Sequence, residues 1–224
     1  MTKIMGSTAK LVQRLLDHDV SIRRDLGRNL INKRALAKYI QKQLHTNVSV
    51  DAIISAIRRY ETEHGEDSRF AKAGSLIKNA KISTKTGIAI IALLKEPPVQ
   101  ELLPKLFSVI HYARGDVLRI IQAEETIKVI VDEKNIPKVV EIFRKVLKIE
   151  QNLAELNMKL EPISAKVPGI LAILDTELAN NDITIIETAS CVPELLWFID
   201  QKDLLKAHQT FLELIETLKS GRRA

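Results

Sequence analysis

A ten-residue pattern occurs twice in this chain, and the spacing between its two occurrences constrains the fold more than any other feature of the 224-residue sequence. Val129-Ile130-Val131-Asp132-Glu133-Lys134-Asn135-Ile136-Pro137-Lys138 aligns with Trp197-Phe198-Ile199-Asp200-Gln201-Lys202-Asp203-Leu204-Leu205-Lys206 at a constant offset of 68 residues, with Asp, Lys and Lys in register. In each copy an apolar run ends at Asp-x-Lys and passes directly into an amphipathic helix. The first helix carries Val139, Val140, Ile142, Phe143, Val146 and Leu147, the second Leu204, Leu205, Phe211, Leu212 and Ile215. A carboxylate at such a junction is placed to cap the helix N-terminus, so the Asp132/Lys134 and Asp200/Lys202 pairs are helix starts. Repetition at a fixed period means one folding unit used twice.

The segments upstream of the two patterns match in kind. The first copy predicts a strand over Thr86–Leu94, a helical run to Tyr112, and strands over Val117–Ala123 and Thr126–Val131. The second predicts a strand over Met158–Ala165, the turn Lys166-Val167-Pro168-Gly169, a helix over Ile170–Ala179, and strands over Ile183–Ala189 and Leu195–Ile199. Each copy is therefore β-α-β-β-α, a ferredoxin-like layer with an antiparallel sheet and both helices on one face. No fourth strand is evident in either copy, so the two share a sheet or complete it with a partner chain.

The first third is helical throughout. Ser7 is placed to cap a helix with Leu11, Val12, Leu15 and Leu16 on one face; Val20–Leu26 forms a second that ends at Gly27. Asn32 caps a third, with Leu36, Ala37, Ile40 and Leu44 as its stripe, and Ser49 a fourth, with Val50, Ile53, Ile54 and Ile57 inside. The fourth shows Asp51, Ser55, Arg58 and Arg59 on its other face. Two helices joined by a short polar turn, the second opening at Ser and carrying paired arginines, have the outline of a helix-turn-helix. A further helix over Ser68–Asn79, with Phe70, Leu76 and Ile77 apolar, leads to a boundary near residue 80.

Charge divides the chain in the same place. The net charge is +6 with pI about 9.3, but residues 1–81 hold 16 Lys+Arg against 8 Asp+Glu, leaving 18 against 20 for the remainder. A cationic head on a near-neutral body fits a polyanion partner for the head alone; the plain alternative is a solvated, lysine-rich surface. The expected DNA-facing residues are Ser49, Ser55, Arg58 and Arg59, with Lys33, Arg34 and Lys38 on phosphates.

Other function classes are excluded by what the sequence lacks. The charge-free stretch Thr86–Leu94 is far short of the ~20 apolar residues of a membrane helix. Neither Lys3 nor Lys10 flanks a signal-peptide core, and the expected location is the cytoplasm. One cysteine, Cys191, makes no internal disulfide, and His18, His45, His64, His111 and His208 fall in no metal-ligand spacing. No phosphate loop, dinucleotide fingerprint or nucleophile elbow is present. No cofactor, metal or enzymatic activity is expected.

The second copy, from Ser164-Ala-Lys-Val-Pro-Gly to Asn180-Asn181-Asp182-Ile183 and on through Trp197-Phe-Ile-Asp-x-Lys to His208, resembles an ACT domain. Together the copies resemble the tandem ACT pair of aspartate kinases over about residues 82–218, without a kinase domain. The resemblance implies an amino-acid effector held against Val167, Pro168, Gly169 and Ile170, with the Asn180-Asn181-Asp182 loop meeting an ammonium or side-chain group. Glycine at the turn admits a ligand to the backbone, and the following helix start offers free amides to a carboxylate. In the first copy Glu96-Pro97-Pro98-Val99 stands where Pro-Gly is expected. The expected architecture is α+β: a helix-turn-helix-like domain (1–80), then two ferredoxin-like βαββα (ACT) repeats (81–157 and 158–224). The expected function is an effector-sensing, DNA-binding regulator acting as a homodimer or higher oligomer. The alternative is a non-catalytic regulatory subunit that docks on an amino-acid biosynthetic enzyme.

Overall fold

The computed structural model describes residues 8–27, 29–64 and 68–220. The chain divides into two compact units, residues 1–72 and 73–224. Ser7 and the chain ends lie outside the described residues.

In the first unit, helices α1 (Thr8–His18), α2 (Val20–Gly27), α3 (Lys33–Gln43) and α4 (Val50–His64) surround one apolar cluster. The expected stripes supply it: Val12, Leu16, Leu36, Ala37, Ile40, Ile53 and Ile57 are buried. Asn32 caps α3 by accepting the amides of Arg34 and Ala35 at 3.0 and 3.1 Å, and the Ser49 hydroxyl accepts that of Ala52 at 3.2 Å. The α3–α4 turn passes through His45 at φ +44 and is pinned where the Gln41 side chain donates to the Val48 carbonyl at 2.7 Å. Tyr60 ties α4 to α1 by donating its hydroxyl to Asp17 at 2.7 Å. Burial, and next the hydrogen bond to that carboxylate, push the Tyr60 phenol up to about 12.

The second unit holds a six-stranded antiparallel sheet in the order β2-β3-β1-β4-β6-β5. Its strands are β1 (Lys81–Leu94), β2 (Leu118–Gln122), β3 (Thr126–Asp132), β4 (Lys148–Lys159), β5 (Ile185–Cys191) and β6 (Glu194–Asp200). The helices are α6 (Pro97–Leu102), α7 (Leu106–Val109), α8 (Ile136–Phe143), α9 (Ile170–Asn180) and α10 (Leu204–Lys219). Helix α5 (Ser68–Ile77) precedes β1 and places Ala73, Leu76 and Ile77 in the cluster under α9 and α10. A Cβ at Gly74 would stand 3.0 Å from Leu218, which shows how closely α5 approaches α10.

Both copies are βαββα, and they share one sheet through antiparallel pairing of their first strands, β1 with β4. β1 begins at Lys81, five residues before the expected Thr86, the expected helical run to Tyr112 is broken into short α and 3-10 pieces, and one further strand is misplaced. The first strand of the second copy is Lys148–Lys159, not Met158–Ala165, and residues 162–166 form a 3-10 turn instead. Pro162 cannot donate in a ladder, and the buried side chains Leu153, Ala154, Leu156 and Met158 lie upstream of it. The second copy therefore takes in residues counted above with the first. The corrected strand also obeys the 68-residue offset, since 81 plus 68 falls one residue inside it.

The junction is crossed reciprocally. The amide of Gly87, at φ +65 in a β1 irregularity, donates to Gln201 at 2.7 Å, and the amide of Asn152, at φ +58 in β4, donates to Glu133. Glu133 and Gln201 are 68 residues apart, so each copy's strand-to-helix junction grips the other's first strand. The two junction aspartates differ. Asp200 caps as expected, accepting the Lys202 amide at 3.0 Å. Asp132 does not: its carboxylate accepts the Val117 amide at 2.7 Å, tying down the entry to β2.

Candidate functional site

The Pro168–Gly169 turn is formed as the sequence predicts. Gly169 takes φ +94, a left-handed conformation that costs a residue with a Cβ but not glycine. Its carbonyl accepts the Ile173 amide at 3.0 Å, and no side chain caps the α9 N-terminus. The amides of Ile170, Leu171 and Ala172 thus precede the first intrahelical bond. Val167 and Ile170 are buried in the core beneath α9, Gly169 is half-buried and Pro168 is exposed, so packed side chains do not seal the turn.

The Asn180-Asn181-Asp182 loop lies at the other end of α9. Eleven residues separate the two ends, about 15 Å at 1.5 Å per residue, so within one chain the structure does not bring the loop and the turn together. Asn181 donates its side-chain amide to the Glu177 carbonyl at 3.0 Å, closing the helix. Asp182, at φ +55, and Asn180 are exposed.

The equivalent end of the first copy is filled from within. Asp116, just before β2, is buried and accepts the His111 amide and the Asn135 side-chain amide, both at 3.2 Å. Lys134 pairs with it at 2.6 Å. Asn135 is 1% exposed, and its oxygen accepts from Lys138 at 3.1 Å. The hydrogen bond from Lys134, then that from the His111 amide, hold the Asp116 carboxyl well below the usual carboxylate range. Sequence reasoning singled out Lys134 but missed Asp116 and Asn135.

The other predicted binding residues lie in the first unit. Arg34 and Lys38 are exposed on α3, and Arg58 and Arg59 are exposed on α4 with no carboxylate partner among the described residues. Lys33 is half-buried and paired with Glu61 at 2.7 Å, so its charge is already matched. The Ser49 hydroxyl is engaged as the α4 cap, and the Ser55 hydroxyl donates to its own helix at the Asp51 carbonyl, 2.9 Å. Two residues not singled out above, Tyr39 and Lys42, are exposed on α3. That helix contains four basic residues and no acidic one (KRALAKYIQKQ), whereas α4 sets Arg58 and Arg59 against Asp51, Glu61 and Glu63. Arg34, Lys38 and Lys42, at successive i, i+4 positions, make a cationic ridge with a step of about 6 Å.

Trp197 is core: it is fully buried, donates to Asp175 at 2.7 Å and stacks edge-on against Phe211 at 5.2 Å. Cys191 is exposed and His208 is half-buried on α10. Among the described residues no cluster of three His, Cys, Asp or Glu could hold a metal ion, and no helix is long and apolar enough to cross a membrane.

No family model matches the chain, and no curated protein matches it. Solved structures do. An allosteric aspartate kinase from Clostridium acetobutylicum aligns with a TM-score of 0.50 at 16% identity, over 60% of this chain and 34% of that one. The ligand-free regulatory subunit of aspartate kinase from Thermus thermophilus gives 0.49 at 13% identity, over 59% of this chain and 95% of that one. This chain spans about a third of the Clostridium enzyme. The likeness is one of fold, in keeping with ACT-like repeats.

Proposed function

We propose that this chain is an amino-acid-sensing regulatory protein, in which the βαββα repeats bind the effector and a cationic helical head contacts DNA. The observation that carries the sensing half is the unsealed turn at Gly169, where backbone amides at the start of an eleven-residue helix stand without a side-chain cap on a tandem ACT-like scaffold. Such amides, at the positive end of the helix, favour a carboxylate. Within one chain the effector site is Val167–Ile170 alone; the loop Asn180–Asp182 is too distant to share a ligand with it and reaches one only from a second copy. The ridge Arg34, Lys38 and Lys42, with Arg58 and Arg59, supports the DNA-binding half, with phosphates as the targets. Regulation then operates by linkage: an effector that prefers one arrangement of a dimer shifts DNA affinity by a coupling of about 1–3 kcal/mol.

Thermal-shift screening of the full chain against the amino acids tests the first half, because a ligand that prefers the native state raises Tm by mass action. One amino acid is expected to raise Tm, and Gly169→Val to abolish the shift. Absence of any shift sinks the sensing reading. DNA titration at rising salt tests the second half. Binding is expected to weaken steeply with salt, and Lys38→Ala/Lys42→Ala to flatten the slope by about two phosphate contacts. Effector binding without DNA binding at low salt leaves a regulatory subunit that docks on an enzyme.

A further inference from the structure

The helix-free face of the sheet is buried by the sheet itself. Ile88, Ile90, Val117, Ile130, Leu153, Leu196 and Phe198 form a cluster drawn from the strands and the residue leading into β2, with no helical member, yet none is more than 3% exposed. The helices of this unit pack on the opposite face, where its two other clusters lie. An open, flat sheet leaves such a face in water, so this one is curled about it.

Two ion pairs span that face between the repeats. Arg119 on β2 makes a two-pronged contact with Glu155 on β4, both bonds at 2.9 Å, and Lys128 on β3 pairs with Glu187 on β5. On a flat sheet, strands three and four places apart lie about 14 and 19 Å from each other; here their side chains touch. Glu155 is 2% exposed and has Arg119 as its ionic partner, while Lys128 and Glu187 are partly exposed. The edges β2 and β5 are nonetheless not hydrogen-bonded to each other. The Glu187 carboxylate also accepts the amide of its neighbour Thr188 at 3.1 Å, covering a donor on the β5 edge.

We propose that Arg119–Glu155 and Lys128–Glu187 are a latch between the repeats: the curled sheet is held shut by side-chain charge and not by backbone pairing, and it opens along the β2/β5 seam to expose its apolar lining. A seam closed by two ion pairs gives the repeat pair two discrete states, closed and open. A ligand acts on such a pair only through different affinity for the two. The latch stands on these contacts alone and does not depend on what, if anything, binds at Gly169.

A double-mutant cycle on the full chain tests it, read by Tm and by fluorescence of an apolar dye under native conditions. Glu155→Gln leaves a half-buried guanidinium unmatched and is expected to lower Tm by several degrees and raise dye fluorescence several-fold. Arg119→Gln/Glu155→Gln is expected to recover part of the Tm loss while dye binding stays high. Additive single effects, or unchanged dye binding in folded variants, overturn the latch. If Glu155→Gln does not fold, Lys128→Gln decides, being at a partly exposed site. It is expected to speed amide exchange along β2 and β5, an effect that high salt reproduces in the unmodified chain by screening this pair. Unchanged exchange in Lys128→Gln overturns the proposal.

Discussion

The two repeats share a topology and a 68-residue offset, yet their corresponding ends are wired differently. In the first, Asp116, Lys134 and Asn135 close the approach to β2, and Asp132 secures the Val117 amide. In the second, the position of Asn135 is taken by Asp203, a carboxylate, and Lys202 turns to Asp200 at 2.9 Å. Where the first copy has Asp116, two residues before its strand, the second has Ile183, an apolar side chain that is buried. These exchanges separate a repeat whose strand entry is tied by a buried carboxylate network from one in which the same positions hold an apolar side chain and a second carboxylate. Duplication supplies the scaffold twice, and a few positions decide which copy carries a buried polar network.

The sharpest way to break this comparison is to strip the network. Asn135→Ala leaves the buried Asp116 carboxylate short of a donor and is expected to cost about 1–3 kcal/mol in urea unfolding, against under about 1 kcal/mol for Asp203→Ala. Equal costs would mean the two ends are not wired differently. Next in size is the turn. Gly169→Ala forces a Cβ into a left-handed conformation, worth about 1–2 kcal/mol, whereas Pro98→Ala at the start of α6 is expected to stay within about 0.5 kcal/mol. Smallest is the acid limb. Asp116 is held low by Lys134 and the His111 amide, and Asp200 is lowered by Lys202. A carboxyl depressed in the folded state adds stability above its unfolded pKa of about 3.9 and loses it as the pH falls below that value. The stability gap between the unmodified chain and Asp116→Asn is therefore expected to hold from pH 7 to about 5 and to narrow below about 4. A gap that widens in acid contradicts the assignment.

Much of this was legible in the sequence. Helical stripes such as Leu36/Ala37/Ile40 and caps such as Asn32 depend on neighbours three and four residues away, so local pattern carries them. The repeat marked β3, β6 and the helices after them. The strand β4 escapes the sequence pattern because Lys148–Lys159 is rich in Glu, Gln and Asn, residues with little preference for strands. It is central all the same: β1 and β6 flank it, and its Glu155 is buried only because Arg119 arrives from a strand three places away. For the candidate site, the glycine turn was visible and its distance from the Asn180–Asp182 loop was not, since both ends of a helix are near in sequence and about 15 Å apart in space.

What the sequence determined by itself was the repeated βαββα unit, the cationic helical head and the glycine at the second turn, all consequences of periodicity, charge count and backbone freedom. What only the tertiary structure decided was the joining of the two copies through β1 and β4, the curl of their sheet and the partners of Asp116, Glu155 and Lys33. Those depend on residues far apart in the chain meeting at a few ångströms, and a buried charge finds its counter-ion in space, not in sequence.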